Sequence, residues 1–317
     1  MNITGPAGPK AVPTKFAHPD ITAEGEARAS VDLRALETLW INTGTLCNLT
    51  CERCYIESSP TNDRLTYISR AEVAAYLDEI NELGLATREI GLTGGEPFMN
   101  PDVIDILDDV LSRGFEALVL TNAMTPMKHR RDDLLRLKDR YGSALTLRVS
   151  LDHYTQDRHE EERGPFSWAR TIDGLQWLAQ NGFTLAVAGR SLWHEDEAAT
   201  RAGYAQLFAT LDVPVDAHDA SRLVVFPEMD EAAVVPEITT ACWGILNVRP
   251  DAMMCATSRM IVKRKGAARP AVVACTLLPY DEQFEIGQTL ANQASNVRLN
   301  HPYCASFCVL GGGSCSA

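Results

Sequence analysis

The placement of nine cysteines constrains this chain more than any other feature. Cys47, Cys51 and Cys54 share one loop-sized stretch, and residues 55–241 contain none. Cys242, Cys255, Cys275, Cys304, Cys308 and Cys315 then crowd the last quarter. A disulfide scaffold is the usual reading of so many cysteines in a small secreted domain, but the count is odd and the chain is 317 residues long. The stretch Met1 to Asp20 carries Pro and Gly where an export signal needs an apolar core, so the expected setting is a soluble, cytoplasmic one. Two separate thiolate sites that bind metal or a cluster are the better expectation. The spacing of the first, C-x3-C-x2-C, suits three irons of a [4Fe–4S] cube and leaves the fourth iron open. Zinc sites usually pair a C-x2-C with a second nearby pair, and the next cysteine here is Cys242.

Between the two groups, short β-like runs alternate with helical patterns. Strands are predicted at Leu39–Thr43, Glu89–Thr93, Ala117–Thr121, Leu145–Leu151, Leu185–Ala188 and Ser221–Phe226. Helices are predicted at Arg70–Leu83, Val103–Arg113, Arg131–Tyr141, Ser167–Asn181 and His194–Leu211. Six βα units predict an α/β fold, a partial (β/α)6 TIM-type barrel with a cysteine-rich extension after it; a doubly wound open sheet is the competing topology. The expected division is an arm over residues 1–35, a core over 36–231 and a cysteine-rich domain over 232–317. Net charge is −13, from 29 Lys+Arg against 42 Asp+Glu, a balance that disfavours nucleic acid and anionic membranes as partners. No apolar run is long enough to span a bilayer.

A second motif, Gly91-Leu-Thr93-Gly94-Gly95-Glu96-Pro97, follows the second strand. Paired glycines admit close backbone approach, and bared carbonyls together with the Glu96 carboxylate suit a protonated amine. The cysteine loop after the first strand, this turn after the second and six βα units together resemble the radical S-adenosylmethionine (radical SAM) superfamily over residues 36–230. The resemblance implies that Cys47, Cys51 and Cys54 ligate a [4Fe–4S] cluster and that Gly94, Gly95 and Glu96 line the site of the SAM methionine amine. It also implies reductive cleavage of SAM to a 5′-deoxyadenosyl radical that takes hydrogen from a substrate. Tyr55, Ser150 and Arg190 are further cofactor-binding candidates, Arg190 through a fork matched to a carboxylate. The residue before the third cysteine, often aromatic in the family, is Arg53 here.

The tail resembles the auxiliary-cluster extensions called SPASM and Twitch, loosely in its spacing. One auxiliary [4Fe–4S] cluster is expected on Cys255 and Cys275 plus two of Cys304, Cys308 and Cys315. Asp152, just past the fourth strand, is the candidate acid/base, while His159 to Arg163 reads as a solvated charged stretch. The expected activity is hydrogen abstraction from a small molecule or peptide with the auxiliary cluster taking an electron, and reducing power from a flavodoxin or ferredoxin. A redox-neutral epimerase, isomerase or methylase with Cys242 as hydrogen donor is the alternative; a non-catalytic iron–sulfur carrier is the third reading. The arm before residue 36 is too short for the winged-helix leader-binding domain of some peptide-modifying relatives, which favours a small molecule or a separately recruited peptide.

Overall fold

A computed structural model describes residues 14–230 and 232–313; Cys315 and the first part of the predicted arm lie outside the described residues. The elements run β1 (Ser30–Val31), β2 (Thr38–Asn42), α1 (Arg70–Glu82), β3 (Glu89–Thr93), α2 (Val103–Ser112), β4 (Glu116–Thr121), α3 (Thr125–Lys128) and α4 (Arg131–Tyr141). They continue with β5 (Leu145–Ser150), α5 (Gln156–Arg163), α6 (Ser167–Gln180), β6 (Thr184–Arg190), α7 (Glu197–Leu211), β7 (Leu223–Phe226) and α8 (Cys242–Leu246). The last strands are β8 (Ser258–Val262), β9 (Ala271–Val273), β10 (Glu285–Gly287) and β11 (Val297–Arg298).

Strands β2 to β7 lie side by side in chain order and pair in parallel, from Thr38↔Glu89 at one side to Arg190↔Phe226 at the other. A doubly wound sheet reverses direction at a switch point, and this order never does. The partial barrel is therefore the fold, and each of the six predicted strands is present close to its expected bounds. The sheet also extends beyond expectation. Strand β8, from past residue 232, pairs in parallel with β2, and β9 and β10 add antiparallel strands outside it.

Alternation along β2 shows how the sheet divides its two faces. Leu39 and Ile41 point toward the helices and join a core with Leu77, Leu107, Leu175 and Phe208. Trp40 points the other way, into a second apolar cluster shared with Met260, Val273, Cys304 and Phe307. Gly91 makes room for it on the neighbouring strand, since a Cβ there would lie 2.4 Å from the Trp40 ring. Helix starts are marked by sequence chemistry: Ser69 and Glu72 form a reciprocal capping box on α1, and the Asp196 carboxylate accepts from the Ala198 and Ala199 amides on α7.

Two expectations change. The described part of the arm packs into the second cluster instead of running over the surface: Ala29 and Val31 are fully buried, and β1 pairs with β11. The buried Arg28 guanidinium pairs with Glu237 and donates to the carbonyls of His18 and Ile21. Second, His159 to Arg163 is not a solvated stretch but the end of helix α5, with His159 fully buried and Glu162 1% exposed. No helix among the described residues is long and apolar enough to cross a membrane.

Candidate active site

The carboxyl ends of the parallel strands surround one cavity. Thr93 closes β3, Thr121 closes β4, Ser150 closes β5, Arg190 closes β6 and Phe226 closes β7, and all five line it. Its opposite wall is the cysteine loop, with Cys47, Cys51, Cys54 and Tyr55 facing the same space. The sequence thus places a reactive loop where a parallel barrel leaves its backbone ends free for chemistry.

Gly94 and Gly95 hold that loop in place from below. The Gly95 amide donates to the Gly44 carbonyl at 2.8 Å, and the Glu96 amide donates to the Leu46 carbonyl at 3.1 Å. A Cβ on Gly94 would lie 2.4 Å from the Gly44 oxygen, and one on Gly95 2.2 Å from the Leu46 oxygen. Gly94 also has φ +133°, a region side chains disfavour. These glycines are needed for backbone contact directly before Cys47, and both face the cavity.

Glu96 behaves differently from the expectation. Its carboxylate accepts from the Thr121 hydroxyl at 2.8 Å, the Asn122 amide at 2.8 Å and the Phe98 amide at 3.2 Å, and it does not line the cavity. Burial pushes its pKa up to about 7 against those hydrogen bonds. Its side chain ties the β3 turn to the end of β4.

All three loop cysteines are free thiols. Burial pushes Cys47 up to about 12 and raises Cys51, with further upward pressure on Cys47 from Glu96 and Cys51 and on Cys51 from Asp152 and Cys54. Thiols so poorly solvated ionise only when a cation takes the proton's place, which is what iron does on binding. Two buried charge pairs flank them. Asp152 accepts from Arg163 at 2.7 and 3.1 Å. Burial opposes ionisation of Asp152, but the charge and hydrogen bonds of Arg163, aided by Arg190, outweigh it and hold the carboxyl below its usual range. The proton-carrier expectation for Asp152 therefore meets a carboxylate already committed to Arg163. Glu162 takes Arg53 on one side and Arg190 Nη1, at 3.0 Å, on the other.

Some polar atoms at the cavity remain unsatisfied within the protein. Arg190 Nε and Nη2 are buried without a partner, as is the Ser58 hydroxyl. Buried groups of this kind are rare unless a ligand or water completes them. The three free cysteines and the orphaned fork of Arg190 thus fit an iron–sulfur cube carrying an amino-acid carboxylate.

Glu162, Arg163 and Ser58 were missed from sequence. A signal existed for the first two: positions 159, 162 and 163 fall on one face of a helix, and that is the face buried here, while Glu161 is exposed. Read by helical spacing, the charged run would have divided into an inner and an outer side.

The tail forms a second group. Cys255 lies in a short turn before β8, Cys275 follows β9, and Cys304 and Cys308 sit on a π-helix, Cys304–Leu310. Burial pushes Cys255 up to about 11, and Cys304 is driven far up by burial and then by Cys275 and Cys255. Those effects tie Cys304 to Cys255 and Cys275. Arg259, fully buried, donates to the carbonyls of Cys255, Ser258, Gln293 and Ser295, and burial lowers its pKa to about 10. Cys242 opens α8, packs on the same cluster and accepts from the Thr239 amide at 3.4 Å; it does not line the strand-end cavity.

Comparison with known proteins agrees with this geometry. Residues 41–192 match the Radical SAM superfamily. The antilisterial bacteriocin subtilosin biosynthesis protein AlbA of Bacillus subtilis is 28% identical over 273 residues, 81% of this chain and 58% of that protein. A GTP 3′,8-cyclase of Microcystis aeruginosa is 26% identical over 161 residues, 48% of this chain and 46% of its own length. Both relatives are thus spanned for less than two thirds of their length. SuiB of Streptococcus suis, solved with its precursor peptide SuiA, superposes with a TM-score of 0.59 at 13% identity over 83% of this chain and 66% of that one, a likeness of fold. Residues 41–192 thus carry a likeness to the Radical SAM superfamily, a family that works with SAM and a [4Fe–4S] cluster, and a cysteine-rich region follows at the carboxyl-terminal side.

Proposed function

We propose that this chain modifies a peptide by radical chemistry, with net oxidation, and carries two [4Fe–4S] clusters. The observation that carries the first half is the cavity in which three free cysteines face the unsatisfied edge of Arg190. Cys47, Cys51 and Cys54 would hold the first cluster, which, when loaded and reduced, supplies the electron that cleaves SAM to the 5′-deoxyadenosyl radical. Arg190 Nε and Nη2 bind the methionine carboxylate, and the carbonyls of Gly94 and Gly95 take its amine. Ser58, Ser150 and Tyr55 supply polar and aromatic wall to the rest of the cosubstrate. Asp152 holds Arg163 beside the cysteines and stays ionised, so it orients and does not relay a proton.

The peptide reading draws on AlbA, a protein of bacteriocin biosynthesis, and on SuiB, seen with a precursor peptide. Cys255, Cys275, Cys304 and Cys308 would ligate the auxiliary cluster, a complete four-thiolate set that supports its use as an electron acceptor. Cys242 stands outside the cavity wall, which removes support from hydrogen donation by that thiol. The functional division would be a SAM-cleaving core over 36–231 and an auxiliary-cluster region beyond it, served by a small reductant such as a flavodoxin or ferredoxin.

Anaerobic reconstitution followed by SAM and dithionite tests the core reading: 5′-deoxyadenosine must form, and its absence defeats it. A short peptide encoded beside the gene should lose two hydrogens on incubation. An unchanged mass together with inverted stereochemistry would favour the redox-neutral alternative.

A further inference from the structure

We propose that Glu162 is a positioning residue, which fastens the cysteine loop to the barrel wall and aims the open edge of Arg190 at the carboxylate of SAM. The inference rests on the reading above that this cavity takes SAM. It turns on Arg53, which stands directly before the third cysteine.

The last turn of α5 meets the cysteine loop through both main chain and side chains. The Glu52 amide donates to the Glu162 carbonyl at 2.8 Å, and the Arg53 guanidinium pairs with the Glu162 carboxylate. On the other side Arg190 Nη1 donates to Glu162 Oε2 at 3.0 Å and to the Arg53 carbonyl at 3.2 Å. Three segments distant in sequence, the loop, α5 and the end of β6, therefore meet at one carboxylate.

Burial makes that carboxylate decisive. The Glu162 side chain is 0% exposed, Arg190 10% and Arg53 41%. A charge removed from water in this way is held only by its partners, and charge-assisted bonds to a planar guanidinium fix direction as well as distance. Using Nη1 on Glu162 leaves Nε and Nη2, the edge suited to a forked carboxylate contact, buried and free. The triad of two arginines and one glutamate carries one excess positive charge, while the adjacent Asp152–Arg163 pair is self-neutralised. An incoming carboxylate balances that excess.

Removing the Glu162 charge frees Arg53 and leaves Arg190 without its outer anchor. The loss should fall on ligands with an amino-acid carboxylate and spare those without. Reconstituted wild type, Glu162→Gln and Arg53→Gln are compared by equilibrium dialysis with SAM, S-adenosylhomocysteine and 5′-methylthioadenosine, which lacks the amino-acid part. Iron release to a chelator is followed in the same samples. Glu162→Gln should weaken SAM and S-adenosylhomocysteine by about tenfold or more, the usual scale for a supporting partner, with methylthioadenosine changed less than about twofold. Iron should leave it faster than the wild type. Arg53→Gln, at a half-exposed position, should fold normally and weaken SAM about threefold, and the double variant should be less than additive.

Equal weakening of all three ligands means general loosening and overturns the proposal, as does SAM affinity in Glu162→Gln within about twofold of wild type. Should Glu162→Gln fail to fold, Arg53→Gln decides alone, and unchanged SAM affinity there overturns it. Absence of SAM binding by the wild type would bring down the function reading and this inference together; normal wild-type binding with unaffected variants sinks only the inference.

Discussion

The two thiol groups of this molecule are built on opposite principles. The amino-terminal trio lies on a loop open to a cavity and is surrounded by buried charge, with Arg163 and Arg190 answered by Asp152 and Glu162. Cys255, Cys275, Cys304 and Cys308 sit in an apolar cluster with Phe307, Met260 and Val273, and its buried cation, Arg259, is satisfied by backbone carbonyls. The cavity of the first leaves atoms of Arg190 and Ser58 for a ligand; the buried cation of the second is met by the chain's own backbone. An open coordination position needs a wall that binds the incoming group, whereas a fully ligated cluster needs only shelter and a route for electrons.

The largest effect should come from breaking the open site. Cys51→Ala leaves two thiolates on the loop, so 5′-deoxyadenosine formation should vanish, and iron should fall from about eight to about four per chain. Iron that stays near eight would place Cys51 outside the ligand set. Cys304→Ser in the closed site should do the converse: about four irons remain, SAM cleavage persists and the peptide product is lost. A variant that still makes product would remove the second site from the reaction and reduce the contrast to one of architecture.

The closed site should also depend on the amino-terminal segment more than the open one does. Arg28 and Glu237 are an ion pair with side chains 0% and 5% exposed, and they tie residues 18–28 to the chain beyond β7. Burial raises the Glu237 carboxyl, but the Ala23 amide, Arg28 and the Phe16 amide together hold it below its normal value. A carboxyl depressed in the folded state contributes stability above its unfolded pKa of about 4.3, and that contribution fades as pH falls through the folded value. Glu237→Gln should lose about 3–5 kcal/mol near pH 7, since it strands a buried guanidinium, and the loss should shrink on acidification below about pH 4. Thermal melting across pH measures both. Auxiliary iron should be lost before the loop iron on heating.

The sequence displayed the two sites unequally. The six strands were readable because each is a short run of apolar and β-branched residues bounded by turn signals, and the C-x3-C-x2-C loop because close thiols have few other uses. Strands β8 to β10 were not, because β8 joins the sheet beside β2 at a sequence distance no local period reveals. The charged frame of the open site was hidden for another reason. The run from His159 to Arg163 has the composition of a solvated face, and only pairing with Arg53, Asp152 and Arg190 makes it an inner wall. The surroundings of Asp152 and Glu96 were hidden similarly: each carboxylate is held by partners brought from other strands or helices.

The smallest change separates shelter from positioning. Gly95→Ala adds one methyl group, and its Cβ would sit 2.2 Å from the Leu46 oxygen and 2.9 Å from the Thr45 oxygen, so the backbone before Cys47 must move. Overpacking of this kind costs about 1–3 kcal/mol. Because the contact is to the cysteine loop and not to the tail, auxiliary iron should be unchanged and the loss of melting temperature modest, while SAM affinity and loop iron both fall. Gly266→Ala is the matched control for the added methyl: Gly266 has φ +79° but nothing within 4 Å of the new Cβ, so it meets backbone strain without a clash. If the two variants bind SAM alike, close packing of the glycine pair against the loop is not what holds the open site in shape. A difference confined to Gly95→Ala assigns that hold to a gap of a single methyl between two backbone segments.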